Sequence, residues 1–203
     1  MKDPLVIGIC GGSASGKTYL KDDLISNSPV GKVKAFTLDS YYLPREWQKP
    51  DEKGYLNFDL PEALDTQKML ADFIDLTNGF SIEQPVYQYN NHSLSIEFNI
   101  IEPAPVIIAE GIFLFHYEDF LNRLNIKVFI DAPFEIKKER RLIRDTKERG
   151  YQEEEINYRF DIHAENSFRT YVLPYKGHAD RIIETDTEWL ETRQFLLKQI
   201  LEY

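Results

Sequence analysis

The sequence predicts an α/β fold with a mostly parallel central sheet, and two observations support that prediction. First, four short apolar runs rich in branched residues are typical of strands that are covered on both faces. Second, helical patterns lie between and after these runs, and strand–helix alternation favours a parallel sheet with helices on both faces. The four runs are Leu5–Cys10, Val33–Leu38, Pro105–Ala109 and Ile126–Ile130.

The predicted helices follow the strands in order. The first begins near Lys17 and ends at about Ile25, before a Ser-Asn-Ser-Pro stretch that does not continue a helix. The second carries its apolar residues on one side and is closed by Asn78-Gly79. Pro133 opens a third, long and highly charged helix. The helices after the first are predicted at 65–76, 133–149, 152–171 and 188–201, with a last strand at 180–184.

Two segments fall outside this alternation. Residues 40–60 combine aromatic residues, Pro and Gly without a clear period, which predicts a loop-rich region over a site. Residues 81–101 alternate and are interrupted by Asn90-Asn91, which predicts a β-hairpin separate from the main sheet. We therefore expect one domain over residues 1–203, with a hairpin insertion at about 81–101 and a helical lid at about 133–171.

Composition and charge argue against several classes of protein. The chain of 203 residues is 42% hydrophobic and 29% charged, which suits one folded domain. Its formal net charge of −10 argues against a nucleic-acid-binding surface. No apolar run approaches the roughly 20 residues that span a bilayer. We therefore expect neither nucleic acid nor a membrane as a partner.

Local charge and cysteine content add two expectations. Residues 134–150 carry seven Lys or Arg against four acidic residues, and a compact basic segment suits a small anionic ligand. Cys10 is the single cysteine, so no internal disulfide forms and a reducing compartment is favoured. No signal peptide precedes the first strand pattern, and we expect a cytoplasmic protein.

The clearest motif follows the first strand. It fits G-x-x-x-x-G-K-[ST], a loop whose backbone N–H groups surround phosphate oxygens at a helix N-terminus. Its lysine can reach the β- and γ-phosphates, and its threonine hydroxyl can bind Mg²⁺. The alternative is a chance glycine turn, which the strand before it and the helix after it disfavour. The motif predicts the P-loop NTPase three-layer fold and ATP with Mg²⁺ at Gly11, Gly12, Ser13, Ala14, Ser15, Gly16, Lys17 and Thr18.

Two acidic residues follow other strands, at the edge where ligands of parallel sheets bind. Asp39 could accept the proton of an attacking hydroxyl, or it could cap the loop after its strand. Glu110 could hold Mg²⁺ together with Thr18, or it could be an acid placed before a helix. Together with the phosphate loop, these residues predict one crevice.

Around these landmarks the sequence resembles the uridine/cytidine kinase family over nearly the whole chain. The phosphate loop alone is shared by many families, but the aromatic and acidic stretches in this order occur in far fewer families. The matching stretches are GGSASGKT (11–18), LDSYY (38–42), NFDLPEALD (57–65), PVYQYNNHS (85–93), EGI (110–112) and the arginine segment 140–150.

The resemblance implies an ATP-dependent kinase that phosphorylates the 5′-hydroxyl of a pyrimidine nucleoside, uridine or cytidine. Asp39 would be the base and would also lie at the metal, and Asp59 would bind ribose hydroxyls. Tyr87 and His92 would read the base edge, although a solvated turn is the rival interpretation for His92. Family members commonly form tetramers, which implies a homo-oligomer. The rest of the acceptor pocket would be Tyr42 and Phe58, each of which could instead be a core aromatic.

The arginines of the charged helix are given a shared role by the resemblance. Arg141, Arg144 and Arg149 would belong to a lid that closes over ATP, excludes water and contacts phosphate and acceptor. For Arg140 a solvated position is favoured instead. His116, His163 and His178 show no metal-site spacing and are expected to be structural.

The sequence departs from the family pattern at four places. Tyr151 stands where the family usually has an arginine, and Arg159 replaces a glutamine near the base of the lid. Leu94 stands where a basic residue is usual, and Glu184 replaces a proline. None of these positions belongs to the phosphate loop, so the departures affect the acceptor rather than the kinase chemistry.

Two other functions stay open at this point. A related kinase, similar to phosphoribulokinase or pantothenate kinase, would hold a sugar phosphate or a pantoate chain in the same pocket. A GTPase-like switch or a non-catalytic nucleotide-binding module would need no acceptor base. The guanine-reading Asn-Lys-x-Asp sequence is absent, which disfavours the GTPase.

Overall fold

The computed structural model of the chain describes residues 3–88 and 97–203. Seven strands form two sheets within these residues. The strands are β1 (Leu5–Gly11), β2 (Val33–Thr37), β3 (Ile82–Val86), β4 (Glu97–Ile101), β5 (Val106–Glu110), β6 (Ile126–Ile130) and β7 (Arg181–Ile183). The main sheet has the order β2-β5-β1-β6-β7 and is parallel throughout, while β3 and β4 form a separate antiparallel hairpin. The predicted α/β fold and its hairpin are confirmed.

Helices and helical turns make up most of the rest of the described chain. The α-helices are α1 (Lys17–Ser26), α2 (Thr66–Thr77), α3 (Glu118–Leu121), α4 (Phe134–Lys147), α5 (Glu153–Tyr158), α6 (Glu165–Ser167) and α7 (Asp186–Glu202). None of the helices in the described residues is both long and apolar enough to cross a bilayer.

The central strand β1 separates two apolar cores, one on each face of the main sheet. Its alternate residues point to opposite faces, so Ile7 and Ile9 pack with α1 and α7, while Val6 and Cys10 pack with α2. All residues of β1 are buried. This double burial explains why the strand sequence is continuously apolar, and it fixes the strand ends on which the site is built.

The strand register brings the expected site residues to one edge. Glu110 ends β5 and is aligned with Ile9 of β1 and with Thr37 of β2. Asp39 follows two residues after Thr37, in a 3₁₀ turn (Leu38–Tyr41). The carboxyl ends of three neighbouring strands therefore carry the phosphate loop, Glu110 and Asp39, as the sequence predicts.

The helical region after β6 differs from the prediction in two respects. The helix predicted to reach residue 149 ends at Lys147, since Gly150 adopts a left-handed φ of +69° and the Tyr151 amide donates to the Asp145 carbonyl over 3.1 Å. The predicted helix 152–171 is not a regular α-helix. It consists of α5 and α6 joined and followed by π-helical segments at Arg159–Ala164 and Phe168–Val172, with a 3₁₀ segment at Leu173–His178.

Part of the predicted hairpin lies outside the described residues. Strands β3 and β4 pair in register from Ile82↔Ile101 to Val86↔Glu97. His92 and Leu94 fall at positions outside the described residues, and their predicted roles stay predictions.

Candidate active site

The phosphate loop connects β1 to α1 through conformations that require glycine. A Cβ built on Gly11 would lie 2.3 Å from the Ile130 carbonyl oxygen, so no side chain fits there. Gly16, the residue just before α1, has a φ of +111°, a region that L-residues with side chains rarely adopt. These constraints explain the glycine spacing of the motif and leave its backbone N–H groups at a helix N-terminus.

Lys17 is buried inside this loop. Its ammonium donates hydrogen bonds to the carbonyl oxygens of Gly11 (3.0 Å) and Gly12 (2.8 Å). Burial lowers the pKa of Lys17, and the negative charges of Glu110 and Asp39 act in the opposite direction. A phosphate group would add negative charge beside this ammonium and favour its protonated form.

Two hydroxyls and an ammonium group, from α1 and β2, surround Glu110. The hydroxyls of Thr18 and Thr37 each donate to Glu110 Oε1 over 3.2 Å, and Lys21 Nζ lies 3.7 Å from the same oxygen. Burial raises the pKa of Glu110, and the charge of Asp39 raises it further. Among the described residues no cluster of three His, Cys, Asp or Glu side chains forms a metal site. Hydroxyl and carboxylate oxygens beside a phosphate loop nevertheless suit Mg²⁺, which usually takes one or two carboxylates and completes its shell with phosphates and water.

A cavity on the acceptor side joins the phosphate loop to the predicted acceptor residues. Ser13 of the loop and Asp39 line it together with aromatic rings. The Tyr42 ring lies 5.2 Å from the Tyr87 ring and 6.0 Å from the Phe58 ring, measured between centroids. Flat apolar walls next to a carboxylate are suited to a planar or sugar-like ligand that carries hydroxyl groups.

Asp59 and Arg141 form a direct ion pair that lines this cavity. Two nearly parallel hydrogen bonds join them, Nη1 to Oδ1 (3.0 Å) and Nη2 to Oδ2 (3.1 Å), and both residues are buried. The cavity that remains holds only about 50 Å³, well below the roughly 300–1,000 Å³ of typical small-molecule sites.

Asp145, which the sequence analysis did not assign to the site, holds three arginines. Its carboxylate accepts hydrogen bonds from Arg144 Nε (2.7 Å) and Arg141 Nε (3.3 Å), and Arg149 Nη1 lies 3.2 Å away. Burial acts to raise the pKa of Asp145, but the charge and hydrogen bond of Arg144, with the other arginines, lower it. The three predicted lid arginines thus converge on one buried carboxylate.

Two of the departures from the family pattern meet in the acceptor cavity. The Arg159 guanidinium lies 5.2 Å from the Tyr151 ring centroid and 5.8 Å from that of Phe58. Its Nη2 pairs with Glu155 at 2.6 Å. Its Nε is buried and finds no hydrogen-bond partner in the described part of the chain. Arg159 therefore has an unused donor beside the acceptor cavity.

A second cavity, of about 610 Å³, lies on the other side of the phosphate loop. Ser15 and Gly16 line one wall, and Tyr19 and Trp189 line another with their ring centroids 5.6 Å apart. Arg140 also lines it. Arg140 is exposed, in line with the solvated position favoured from the sequence, and its Nη1 also donates to the Ser15 carbonyl oxygen over 3.3 Å.

Nine of the predicted site residues line the acceptor cavity, and Ser15 and Gly16 line the larger one. Those lining the acceptor cavity are Ser13, Asp39, Tyr42, Phe58, Asp59, Tyr87, Arg141, Arg144 and Arg149. The sequence analysis missed Asp145, Tyr19 and Trp189. Tyr19 directly follows the motif and could have been noted, whereas Trp189 is distant in sequence and no local signal links it to the loop.

The fold and the site together define a P-loop kinase, with a phosphate loop and an acceptor cavity at the same edge of a parallel sheet. A family model described as "Phosphoribulokinase / Uridine kinase family" matches residues 6–189. The chain belongs to this family, and it is accordingly a transferase with an alcohol acceptor. Family membership confirms the resemblance.

Individual relatives agree with this assignment. "Uridine-cytidine kinase A" of Dictyostelium discoideum is 36% identical over 90% of this chain, which spans only 36% of that longer protein. "Uridine kinase" of Staphylococcus haemolyticus is 34% identical over 90% of this chain and 88% of the relative. The solved phosphoribulokinase of Rhodobacter spheroides has a TM-score of 0.61 at 13% identity, covering 90% of this chain and 70% of that one, and shows the fold alone.

Proposed function

We propose that this protein transfers the γ-phosphoryl group of ATP to the 5′-hydroxyl of a pyrimidine nucleoside, uridine or cytidine. The observation that carries the proposal is the single cavity in which Asp39, the aromatic walls of Tyr42 and Tyr87, and Ser13 of the phosphate loop meet. The names of the curated relatives support the nucleoside as acceptor.

In the proposed reaction the acceptor hydroxyl lies between Asp39 and the terminal phosphate. Its oxygen forms the new bond to phosphorus while the bond to the bridging oxygen of ADP breaks, and Asp39 takes the proton late in the transfer. Lys17 would exchange its hydrogen bonds to loop carbonyls for bonds to phosphate oxygens. Arg144 and Arg149 would balance the charge of the transferred group.

The groups around Glu110 would hold Mg²⁺. Thr18 and Glu110 are the candidate ligands, and Asp39 lies close enough to both Glu110 and Lys17 to affect their pKa values. When bound, the ion would neutralise charge on the β- and γ-phosphates. The larger cavity, with Tyr19 and Trp189, would hold the adenosine of ATP.

The acceptor side separates this proposal from its nearest rival. Arg159, a buried cation with an unused donor, favours an acceptor that carries an anionic group, as in a phosphoribulokinase-like reaction. The close balance of charges in the cavity favours a neutral acceptor, because Arg141, Arg144 and Arg159 each already pair with a carboxylate.

A panel assay separates these acceptors. The purified protein is incubated with ATP, Mg²⁺ and one of a set of nucleosides, sugar phosphates or pantothenate, and ADP release and product are measured. We expect UMP or CMP to form. If only a sugar phosphate were phosphorylated, the proposed nucleoside acceptor would be wrong and the rival acceptor would be supported.

Asp39→Asn tests the proposed base in the same assay. The amide keeps the shape of the side chain but cannot take a proton, so kcat should fall about 10²–10⁴-fold while ATP binding persists. Asp75→Asn, on the exposed face of α2, is the matched control and should keep normal turnover. Normal turnover of Asp39→Asn would remove the base assignment.

A further inference from the structure

Lys137 is a buried lysine that the reaction described above does not use. It lies on α4 and is only 4% exposed. Its ammonium sits 3.8 Å from the centroid of the Phe168 ring. A Cβ built on Gly12 would lie 3.3 Å from both Cδ and Nζ of Lys137. The side chain therefore reaches from α4 to the backbone of the phosphate loop.

The ammonium of Lys137 has no acidic partner in the part of the chain that the structure describes. Within residues 3–88 and 97–203 it forms neither an ion pair nor a hydrogen bond, and it lies over the face of the Phe168 ring. Burial lowers the pKa of Lys137, although Glu165 and Asp131 act in the opposite direction from a distance. An unpaired buried charge is costly, and a ring face offsets only part of that cost. The surroundings of Lys137 thus lack one anion.

The position of Lys137 along the loop indicates which anion is missing. Ser15 and Gly16 line the larger cavity, which suits the nucleoside of ATP, whereas Ser13 lines the acceptor cavity. A triphosphate that runs along the loop from the first cavity to the second would bring its terminal phosphoryl group toward Gly12 and Ser13. Lys137 approaches the loop at Gly12, which is the end nearest the acceptor.

Two lysines converge at this end of the loop. Lys17 donates to the Gly12 carbonyl oxygen over 2.8 Å, and its charge contributes to lowering the pKa of Lys137. Without an anion between them, two neighbouring ammonium groups repel each other. An added phosphate group would turn that repulsion into two favourable contacts.

We propose that Lys137 is a second phosphate-binding lysine, whose ammonium binds the terminal phosphoryl group of the triphosphate held by the phosphate loop. The proposal rests on the proposed function, because it takes the loop to hold ATP. A donor at this place would neutralise charge on the transferred group from α4, while Lys17 acts from the loop itself.

Lys137→Met tests the proposal through nucleotide binding. Methionine keeps an unbranched apolar side chain against Phe168 and removes the charge. We expect the affinity for a non-hydrolysable ATP analogue with Mg²⁺, measured by titration calorimetry, to fall about tenfold or more. The affinity for ADP, which lacks the terminal group, should stay nearly the same. The Tm without nucleotide should not fall, because an unpaired buried charge has been removed.

Two further variants sharpen the test. Lys137→Arg keeps the charge and should retain most of the affinity for the triphosphate. Lys138→Met removes the next lysine of α4, which pairs with Asp161 at 2.7 Å on the surface, and should leave both affinities unchanged.

Equal affinity of Lys137→Met and the wild type for the ATP analogue would overturn the proposal. So would equal losses for the analogue and for ADP, or a lower Tm without nucleotide, since either result would give Lys137 a structural role. If the wild type binds the analogue but phosphorylates no nucleoside, the proposed function fails, while the binding comparison still decides the role of Lys137.

Discussion

Asp145 shows how a single residue organises the candidate site. Three arginines contact its carboxylate, and it is buried, so its ionised form depends on them. Arginines held in place by a shared carboxylate lose less conformational freedom when they bind phosphate. The predicted lid arginines therefore gain their arrangement from a residue that the motif comparison did not single out.

Arg159→Met is the prediction at the residue scale. If the unused Nε–H donates to the acceptor, its loss should raise the KM for the acceptor roughly ten- to a hundredfold, the value of one charge-assisted hydrogen bond. The KM for ATP should change little. Steady-state kinetics with each substrate varied in turn measure both constants.

The control for this prediction is Arg169→Met, which removes an exposed arginine paired with Glu165 at 2.8 Å. It should leave the acceptor KM unchanged. A folded Arg159→Met variant with the acceptor KM of the wild type would show that Arg159 only supports the wall of the cavity.

At the scale of elements, Asp51 joins two segments that border the acceptor cavity. It lies in the loop-rich region 40–60 and accepts hydrogen bonds from Tyr158 and His163, each over 2.8 Å. The backbone amides of Lys53 and Tyr55 donate to its other oxygen over 2.9 Å. Asp51 therefore ties the loop to α5 and to the π-helical segment that follows α5.

Asp51→Asn should loosen this connection. The amide has one accepting oxygen where the native carboxylate has two, so the contacts with Tyr158 and His163 or those with the backbone amides of Lys53 and Tyr55 are weakened or lost. Because Phe58 and Asp59 follow in the same loop, we expect a higher KM for the acceptor, by several-fold, with kcat at saturation nearly unchanged. Acceptor titrations in the steady-state assay measure both.

Lys49→Gln provides the comparison for this loop. It breaks the exposed pair of Lys49 with Glu62 (3.4 Å) without touching α5, and surface pairs contribute little. Its acceptor KM should match that of the wild type. If Asp51→Asn gave the same result, the contacts of Asp51 would have no part in shaping the cavity.

At the scale of the whole molecule, the acidic residues predict how stability depends on pH. Burial acts to raise the pKa of Asp51, but the hydrogen bonds from Tyr158 and His163 lower it to about 2. A carboxyl with a lowered folded-state pKa stabilises the fold fully above its unfolded pKa of about 4. This contribution should be lost as the pH falls from about 4 to about 2.

Urea unfolding between pH 6 and pH 2.5 measures this dependence. The wild type should lose stability more steeply than Asp51→Asn, which has no carboxyl to protonate. Burial raises the pKa of Glu110, so its protonation at low pH has the opposite effect on stability. Both proteins contain Glu110, and its contribution therefore cancels when their two stability curves are compared. Parallel curves would contradict the link between Asp51 and acid stability.

The sequence by itself determined the parts of this protein that depend on local patterns. Buried strands on both faces of a sheet must be continuously apolar, and a loop around phosphate must have glycine where a Cβ would clash, so both are visible in the chain. The strand order places Glu110 beside β1 and β2, so Glu110 lies at the edge of the sheet where the sequence predicts the site.

Only the tertiary structure decided which distant side chains meet. Trp189 beside Tyr19, Lys137 against Gly12 and Arg141 against Asp59 each join residues from separate elements. Such contacts depend on how helices pack across the sheet, and no periodicity along the chain records them. Short motifs encode the chemistry of the phosphate loop, whereas packing between elements arranges the charges around it.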